Sequence, residues 1–247
     1  MIFDFSSSIF FTIAFVGGLV AVPIGGSFLF VVPSFLLLGL DGLATLLLSR
    51  IFALAAVGSG SFYFLRNHRD EFDWHSIGRF LSGNVVGYFL AAKIATSIEV
   101  DFLTKIVPFV LLGGAVFLFK NWKIKKIHHQ KLFRKMLPVL GFAVGIFAGL
   151  GGAPSAFVIL ILTLALGFAM HRAIVNTRLI ELVGNFTVVV GYLFFGAQLT
   201  GFEIPVILGG ALGGFLGAKI TFRTKPTWLK KAFLILVVLA AIETLFF

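Results

Sequence analysis

The chain contains no cysteine, and only 12% of its 247 residues are charged, about half the share found in ordinary soluble domains. Without cysteine it has no disulfide framework and no thiolate metal site. It also lacks an HExxH pair, a nucleophile elbow, a phosphate-binding loop and a clustered carboxylate pair. We therefore expect no enzyme activity, no metal and no cofactor. The N-terminus has no basic stretch of the kind that begins a cleaved signal peptide, so we expect mature sequence there.

Apolar residues, by contrast, are abundant. They make up 59% of the chain, with 32 phenylalanines and a mean hydropathy of +1.08. A water-soluble globule of this size has too much surface to hide so much apolar area. The apolar runs are long and continuous, which favours helices over a membrane barrel. The composition therefore predicts an all-α polytopic membrane protein whose surroundings are the lipid bilayer.

Six apolar stretches are roughly 18–25 residues long, enough to cross a bilayer. They are residues 43–65, 76–97, 102–119, 172–197, 203–222 and 228–247. Two further apolar regions are interrupted: residues 8–40 by VPIGGS and residues 137–168 by GLGGAP. Each side of each break is only about 15 residues, or roughly 22 Å of helix. These regions predict two broken helical hairpins or pairs of short tilted helices.

The basic residues crowd into three loops, which accounts for the net charge of +10 without nucleic-acid binding. The loops are residues 66–79, 120–135 and 223–231, whereas the loops at 98–101 and 198–203 have no basic residue. Basic loops of membrane proteins lie in the cytoplasm. We therefore predict a multi-pass protein of a prokaryotic cell (inner) membrane, with both termini outside.

The two halves of the chain share one pattern. FLAAKI, ending at Ile94, recurs as FLGAKI, ending at Ile220. Several other residues recur at an offset of 128: Gly17 and Gly145, Gly39 and Gly167, Arg50 and Arg178. We predict repeat 1 at residues 1–119, a basic cytoplasmic linker at 120–136 and repeat 2 at 137–247. Each repeat has one broken hairpin and three spans, and because three is odd the second repeat is inverted.

Arg50 and Arg178 are the most informative candidates for function. Each lies about seven residues, or about 10 Å, inside a predicted span. A guanidinium at that depth is costly unless it is paired or faces a polar cavity. We predict that both arginines face one buried anion, together with the hydroxyls of Ser49 and Thr177 just before them. The alternative is that each arginine snorkels to the interface or caps carbonyl groups.

The glycine-rich breaks are the second candidate. The second arm of each hairpin begins at the tip, where its N-terminus presents unpaired N–H groups and a partial positive charge. Ser27 could act as the N-cap there, and glycine lets a ligand approach the backbone closely. The predicted tip residues are Gly25, Gly26, Ser27, Gly151 and Gly152, which would form an anion cradle. The alternative is that these glycines only permit close helix crossing.

Glu181 lies one helical turn after Arg178, and its counterpart in the first half is Ala53. It either pairs with Arg178 at i, i+3 or serves as a proton-coupling carboxylate. Asn176 and Asn185 are further polar residues in the same span. We include both in the predicted substrate site, with Asn185 either lining the cavity or bridging helices.

The chain resembles the sulfite exporter TauE/SafE family, also called the toluene sulfonate uptake permease family. The second half carries the resemblance in GIFAGLGGAPSAFVILILTLALGFAMHRAIVNTRLIELVGNFTVVVGYLFFG, and the first half in GGLVAVPIGGSFLFVVPSFLLLGLDGLATLLLSRIFA. The first copy departs from the family pattern at Ser27, Asp41 and Gly42. The resemblance implies transport of sulfur-containing or organic anions, such as sulfite or a sulfonate.

These observations together predict a secondary transporter that moves a small anion by alternating access, with protons as a candidate coupling ion. Two other classes stay open. A passive anion channel would use the same arginines as a selectivity ring, and a non-transporting membrane scaffold would not need them. The substrate, the direction of transport, the coupling ion and the oligomeric state are open.

Overall fold

The computed structural model describes residues 5–23, 25, 27–97, 130–150, 154–225, 227, 228 and 231. Within these residues the regular secondary structure is entirely helical, which confirms the predicted all-α class. Other predictions lie outside the described residues: the span 102–119, nearly all of the span 228–247, residues 98–101 and 120–129, and Gly26, Gly151 and Gly152.

Eight α-helices lie in the described ranges. They are α1 (Phe5–Ala21), α2 (Phe28–Leu37), α3 (Gly42–Asn67), α4 (Trp74–Ala95), α5 (Gln130–Gly149), α6 (Pro154–Leu160), α7 (Met170–Phe194) and α8 (Glu203–Arg223). A 3-10 turn, Arg69–Glu71, precedes α4, and a π turn, Ile161–Ala165, continues α6. By length and composition, α3, α5, α7 and α8 are able to cross a membrane. Helix α4 covers residues 76–95 of the predicted span 76–97 and has 22 residues, but it is not among these four.

The predicted hairpins have unequal arms. Helix α1 has 17 residues and α2 has 10, while α5 has 20 and α6 only seven. At 1.5 Å per residue, α5 is about 30 Å long, more than the predicted arm of about 15 residues. It begins inside the predicted linker 120–136 and includes Arg134 and Lys135. A helix continues through charged residues whose side chains reach the polar interface, so hydropathy alone places its start too late.

The same backbone turn precedes α3 and α7. Gly39 has φ +86° and Gly167 has φ +74°, values that glycine adopts readily and other residues do not. Asp41 caps α3 by accepting a hydrogen bond from Ala44 N at 2.9 Å, and Ala169 occupies the equivalent N-cap position of α7. The two helices that carry the arginines therefore begin in the same way, 128 residues apart.

Glycines let the helices of the two halves pack closely. A Cβ atom added to any of four glycines on α4 and α8 would lie within 2.3 Å of a carbonyl oxygen on the facing helix. The pairs are Gly83 with Pro138, Gly87 with Phe142, Gly209 with Phe11 and Gly213 with Phe15. The glycines of α8 follow those of α4 by 126 residues, and the facing residues of α5 follow those of α1 by 127. Helix α8 therefore packs on α1 through the same contact that joins α4 to α5.

Candidate functional site

A small cavity lies between α3, α7 and the starts of α2 and α6. Eight of the residues that line it form four pairs at an offset of 128: Ser27 and Ser155, Arg50 and Arg178, Ala53 and Glu181, Val57 and Asn185. Its volume is about 30 Å³, counted as the space open to the centres of water-sized spheres. One water needs about 10–15 Å³ on this measure. The cavity therefore has room for a small ligand and not for a bulky one.

Both arginines line this cavity, and each is only 1% exposed. Arg50 lies in the third turn of α3, and Arg178 occupies the equivalent turn of α7. Neither guanidinium reaches the protein surface, so neither has the exposed geometry that snorkelling requires.

The hydrogen-bond and ring contacts of Arg50 among the described residues are all with neutral groups. Its Nη2 donates a hydrogen bond to the backbone oxygen of Ala148, and its Nη1 donates to Asn185 Oδ1 at 3.4 Å. The guanidinium also lies 4.4 Å from the centre of the Phe28 ring, a cation–π distance. Among the described residues, its Nε has no hydrogen-bond partner. Arg50 therefore holds a buried positive charge without a contacting carboxylate in the described part of the chain.

Arg178 is paired within its own half. Its Nη1 donates to Glu181 Oε2, so the i, i+3 ion pair considered from the sequence is present. Ser155 Oγ accepts a second hydrogen bond from Nη1 at 3.2 Å and donates to Glu181 Oε1. Arg178 Nε and Nη2 have no partner in the ranges that the structure describes. A buried donor without an acceptor is unfavourable by roughly 1–3 kcal/mol, so these groups are suited to a ligand that brings acceptor oxygens.

Gly25 keeps open the space beside Arg178. Its φ of +79° favours glycine, and a Cβ atom there would lie 2.4 Å from Ser155 Cβ and 3.3 Å from Arg178 Nη2. Any side chain at this position would therefore enter the space next to an unpaired guanidinium nitrogen. Of the other predicted tip glycines, Gly26, Gly151 and Gly152 lie outside the described residues.

Ser27 occupies the predicted N-cap position of α2, but the predicted capping by its side chain is wrong. Its side chain makes no capping hydrogen bond, because its backbone is already helical at φ −57° and ψ −22°. A capping side chain reaches back to the helix from an extended backbone. Ser27 instead lines the cavity and is 8% exposed.

The hydroxyls before the two arginines bond to their own helices. Ser49 Oγ donates to Leu46 O at 2.9 Å, and Thr177 Oγ1 donates to Ala173 O at 2.7 Å. Neither residue lines the cavity. These contacts explain why hydroxyl residues are tolerated inside a buried helix.

Asn176 joins α7 to the connection before α4. Its Oδ1 accepts a hydrogen bond from Asp73 N at 2.8 Å, and its Nδ2 donates to Glu71 O at 2.8 Å. It does not line the cavity, so its geometry is that of a bridge between helices. Asn185 both lines the cavity and bridges helices, because it bonds to Arg50 and donates to Glu181 O at 2.9 Å.

Asp73 is the carboxylate at this bridge, outside the membrane-spanning helices. Its partial burial opposes ionisation, but Ser76 donates hydrogen bonds to it from both N and Oγ. The positive charges of Arg134 and Arg172 act in the same direction as these hydrogen bonds, and the pKa of Asp73 is lowered overall. The ionised Asp73 carboxylate lies 3.7 Å from the Arg134 guanidinium, which links the start of α4 to α5.

Sequence reasoning missed one polar residue that lines the cavity, Ser155, and one polar residue near it, Tyr192. Ser155 follows Ser27 by 128 residues, the offset of the two arginines, so the repeat itself was a signal for it. Tyr192 OH donates to Gly149 O at 2.7 Å beside the second break. Tyr192 matches Tyr63 to within one residue of the repeat offset, but this match does not indicate which carbonyl its hydroxyl contacts.

The apolar spanning helices and the arginine-lined cavity define a polytopic membrane protein with an internal polar site. The sequence profile described as Sulfite exporter TauE/SafE matches residues 10–244. The chain therefore belongs to this family and is a membrane transporter, which confirms the resemblance recognised in the sequence.

Relatives agree with this assignment. A protein of Sinorhizobium sp named "Probable membrane transporter protein ORF9" is 27% identical over 219 residues, covering 86% of this chain and 80% of its own. A "Probable membrane transporter protein" of Haemophilus influenzae is 26% identical over 229 residues, covering 90% of this chain and 88% of its own. No solved structure matches the chain.

Proposed function

We propose that this transporter moves a small anion across the cell membrane by alternating access. One observation carries the proposal: arginines at matching positions of the two halves line one cavity, and each keeps N–H donors without a partner among the described residues. Buried guanidinium groups with free donors are suited to a carboxylate, sulfite or sulfonate oxygen. A membrane scaffold has no need for such a pair.

The proposed mechanism rests on two inverted repeats. Three structural similarities between the halves support them. They are the glycine contacts of α4 and α8, the matching turns at Gly39 and Gly167, and the four pairs of cavity-lining residues. An odd number of predicted spans in each half makes the second half inverted. In transporters of this kind, one repeat moves against the other around a fixed central site.

The proposed substrate is a small sulfur-containing or organic anion such as sulfite or a sulfonate. The family description, Sulfite exporter TauE/SafE, supports the chemistry. The small cavity volume supports the size. Glu181 is the proposed proton-coupling group, because it is the carboxylate among the described lining residues.

Transport by the purified protein in liposomes tests this function. We expect uptake of sulfite or methanesulfonate above that of protein-free liposomes, and accumulation above the outside concentration when a proton gradient is imposed. Saturable uptake without accumulation at any gradient would favour a passive anion channel. No uptake of any sulfite, sulfonate or small carboxylate would contradict the proposed function.

Cysteine labelling tests the proposed orientation, since the chain has no cysteine of its own. Asp70 and Gln198 are both exposed. In intact cells, an impermeant thiol reagent is expected to label Gln198→Cys and not Asp70→Cys, because only the latter lies in a basic loop. Permeabilised cells provide the control, in which both positions label. The reverse pattern in intact cells would overturn the orientation.

A further inference from the structure

The described residues that line the cavity carry more positive than negative charge. Arg50 and Arg178 are each 1% exposed, and Glu181 is 3% exposed. Both oxygens of Glu181 are already engaged, one by Arg178 and the other by Ser155. Arg50 contacts a carbonyl, an amide oxygen and an aromatic ring, all of which are neutral. With Glu181 ionised, these lining residues hold a net charge of +1.

The sequence locates the ionisable groups of the two undescribed spans near their ends. Lys105 lies three residues after the start of the predicted span 102–119. Glu243 lies four residues before the end of the predicted span 228–247. Charged groups at span ends face the interface, where water and lipid head groups screen them. Among the described lining residues, the charge balance at the cavity is set by two arginines and one glutamate.

From this balance we infer a valence rule for the proposed transporter: the site binds singly charged anions directly, and a doubly charged anion only when Glu181 takes up a proton. This inference rests on the proposed function. A net charge buried away from water is unfavourable unless it is compensated. One negative charge on the ligand brings the site to neutrality. Two negative charges leave it at −1, and a proton on Glu181 restores neutrality.

The surroundings of Glu181 are able to hold this proton. The groups that face it are Arg178 on its own helix, Ser155 on α6, Arg50 on α3 and Tyr88 on α4. In the empty site burial opposes ionisation of the Glu181 carboxylate, whereas the positive charge of the two arginines favours it. A doubly charged ligand offsets their charge, which favours protonation. The Ser155 hydroxyl accepts a hydrogen bond as readily as it donates one, so it provides a partner for the protonated carboxyl.

Methanesulfonate and sulfate are suitable probes, because both are tetrahedral and each keeps a constant charge between about pH 5.5 and about pH 7.5. Calorimetry in buffers of different ionisation enthalpy counts the protons taken up on binding to the purified protein. We expect about one proton with sulfate and about none with methanesulfonate. Sulfate affinity should rise by up to roughly tenfold for each pH unit lowered, the limit for one linked proton. Methanesulfonate affinity should change by less than about twofold over the same range.

Glu181→Gln removes the titrating group, and the matched control is Glu203→Gln, since Glu203 does not line the cavity. We expect Glu181→Gln to bind sulfate more tightly than wild type near neutral pH and without proton uptake, while Glu203→Gln behaves as wild type. If Glu181→Gln does not fold, the proton counts of the wild-type protein decide. Sulfate binding without proton uptake, or equal uptake with both anions, would overturn the valence rule. Failure of the wild-type protein to bind either anion would instead contradict the proposed anion site itself.

Discussion

Replacing Arg50 by alanine is expected to weaken anion binding by roughly 1.5–3 kcal/mol, or about 10- to 150-fold. Arg50 holds a buried charge without a contacting carboxylate among the described residues, so the ligand is its natural counter-ion. For the same reason its removal strands no buried carboxylate, and we expect the protein to fold. The measurement is the rise in melting temperature that a saturating anion produces, which reports affinity directly.

Two further variants separate binding from structure. Arg66→Ala removes an exposed arginine from the same helix, and exposed substitutions of this kind change stability by less than about 0.5 kcal/mol. Arg50→Lys keeps the charge but loses the planar fork, so it should bind anion more weakly than wild type. If Arg50 only ties helices together, Arg50→Ala will melt earlier, yet the anion will still raise its melting temperature as in wild type. That result would remove Arg50 from the site.

Gly25→Ala is expected to lower transport by about two orders of magnitude, the scale of loss when a preorganised site is displaced by about 1 Å. The new methyl group would lie 2.4 Å from Ser155 Cβ and 3.3 Å from Arg178 Nη2. Either Ser155 moves, which disturbs its hydrogen bonds with Glu181 and Arg178, or the methyl group occupies ligand space. Initial rates of anion uptake into liposomes measure the effect.

Gly39→Ala is the matched control for this substitution. Gly39 has a similar φ of +86°, but no atom lies within 4 Å of an added Cβ. Both variants therefore carry the same backbone strain, about 1–2 kcal/mol, and only Gly25→Ala adds a side chain at the cavity. Equal transport rates in the two variants would mean that backbone strain, and not the site, accounts for the loss.

Much of the fold follows from hydropathy. The predicted spans 43–65, 172–197 and 203–222 coincide with α3, α7 and α8 to within a few residues. Hydropathy predicts a start of α5 that is seven residues too late, because the charges of Arg134 and Lys135 interrupt the apolar stretch. Hydropathy indicates which residues lie in the lipid core. A helix extends further, into the interface, as long as its backbone hydrogen bonds continue.

Site residues were predictable only where both halves of the chain carry the same kind of side chain at matching positions. The matched positions of Arg50 and Arg178 indicated one shared cavity, and both line it. Ser49 and Thr177 are matched as well, yet their hydroxyls bond to their own helices. Sequence offset identifies which turn of a helix a residue occupies, but the direction of a side chain depends on the rotation of the helix against its neighbours.

The hydrogen bonds of Asn176 were likewise not predictable from its position in the sequence. It lies two residues before Arg178, and its amide instead bridges to Glu71 and Asp73 in the connection before α4. That contact depends on how closely this connection approaches α7, and the sequence carries no local signal of such an approach. A polar residue in a predicted span therefore indicates that a hydrogen-bond partner exists, but not which residue provides it.

A double-mutant cycle on anion affinity tests most directly whether Arg50 and Arg178 hold the same ligand. Lysine is the better replacement, because Arg178→Lys leaves Glu181 a positively charged neighbour, whereas alanine would strand a buried carboxylate. The dissociation constant of one anion is measured for the wild type, both single variants and the double variant in detergent. If both arginines hold one anion, the second replacement matters less after the first, with a coupling energy above about 0.5 kcal/mol. Losses that add within about 0.5 kcal/mol, or unchanged affinity in both single variants, would contradict a shared site.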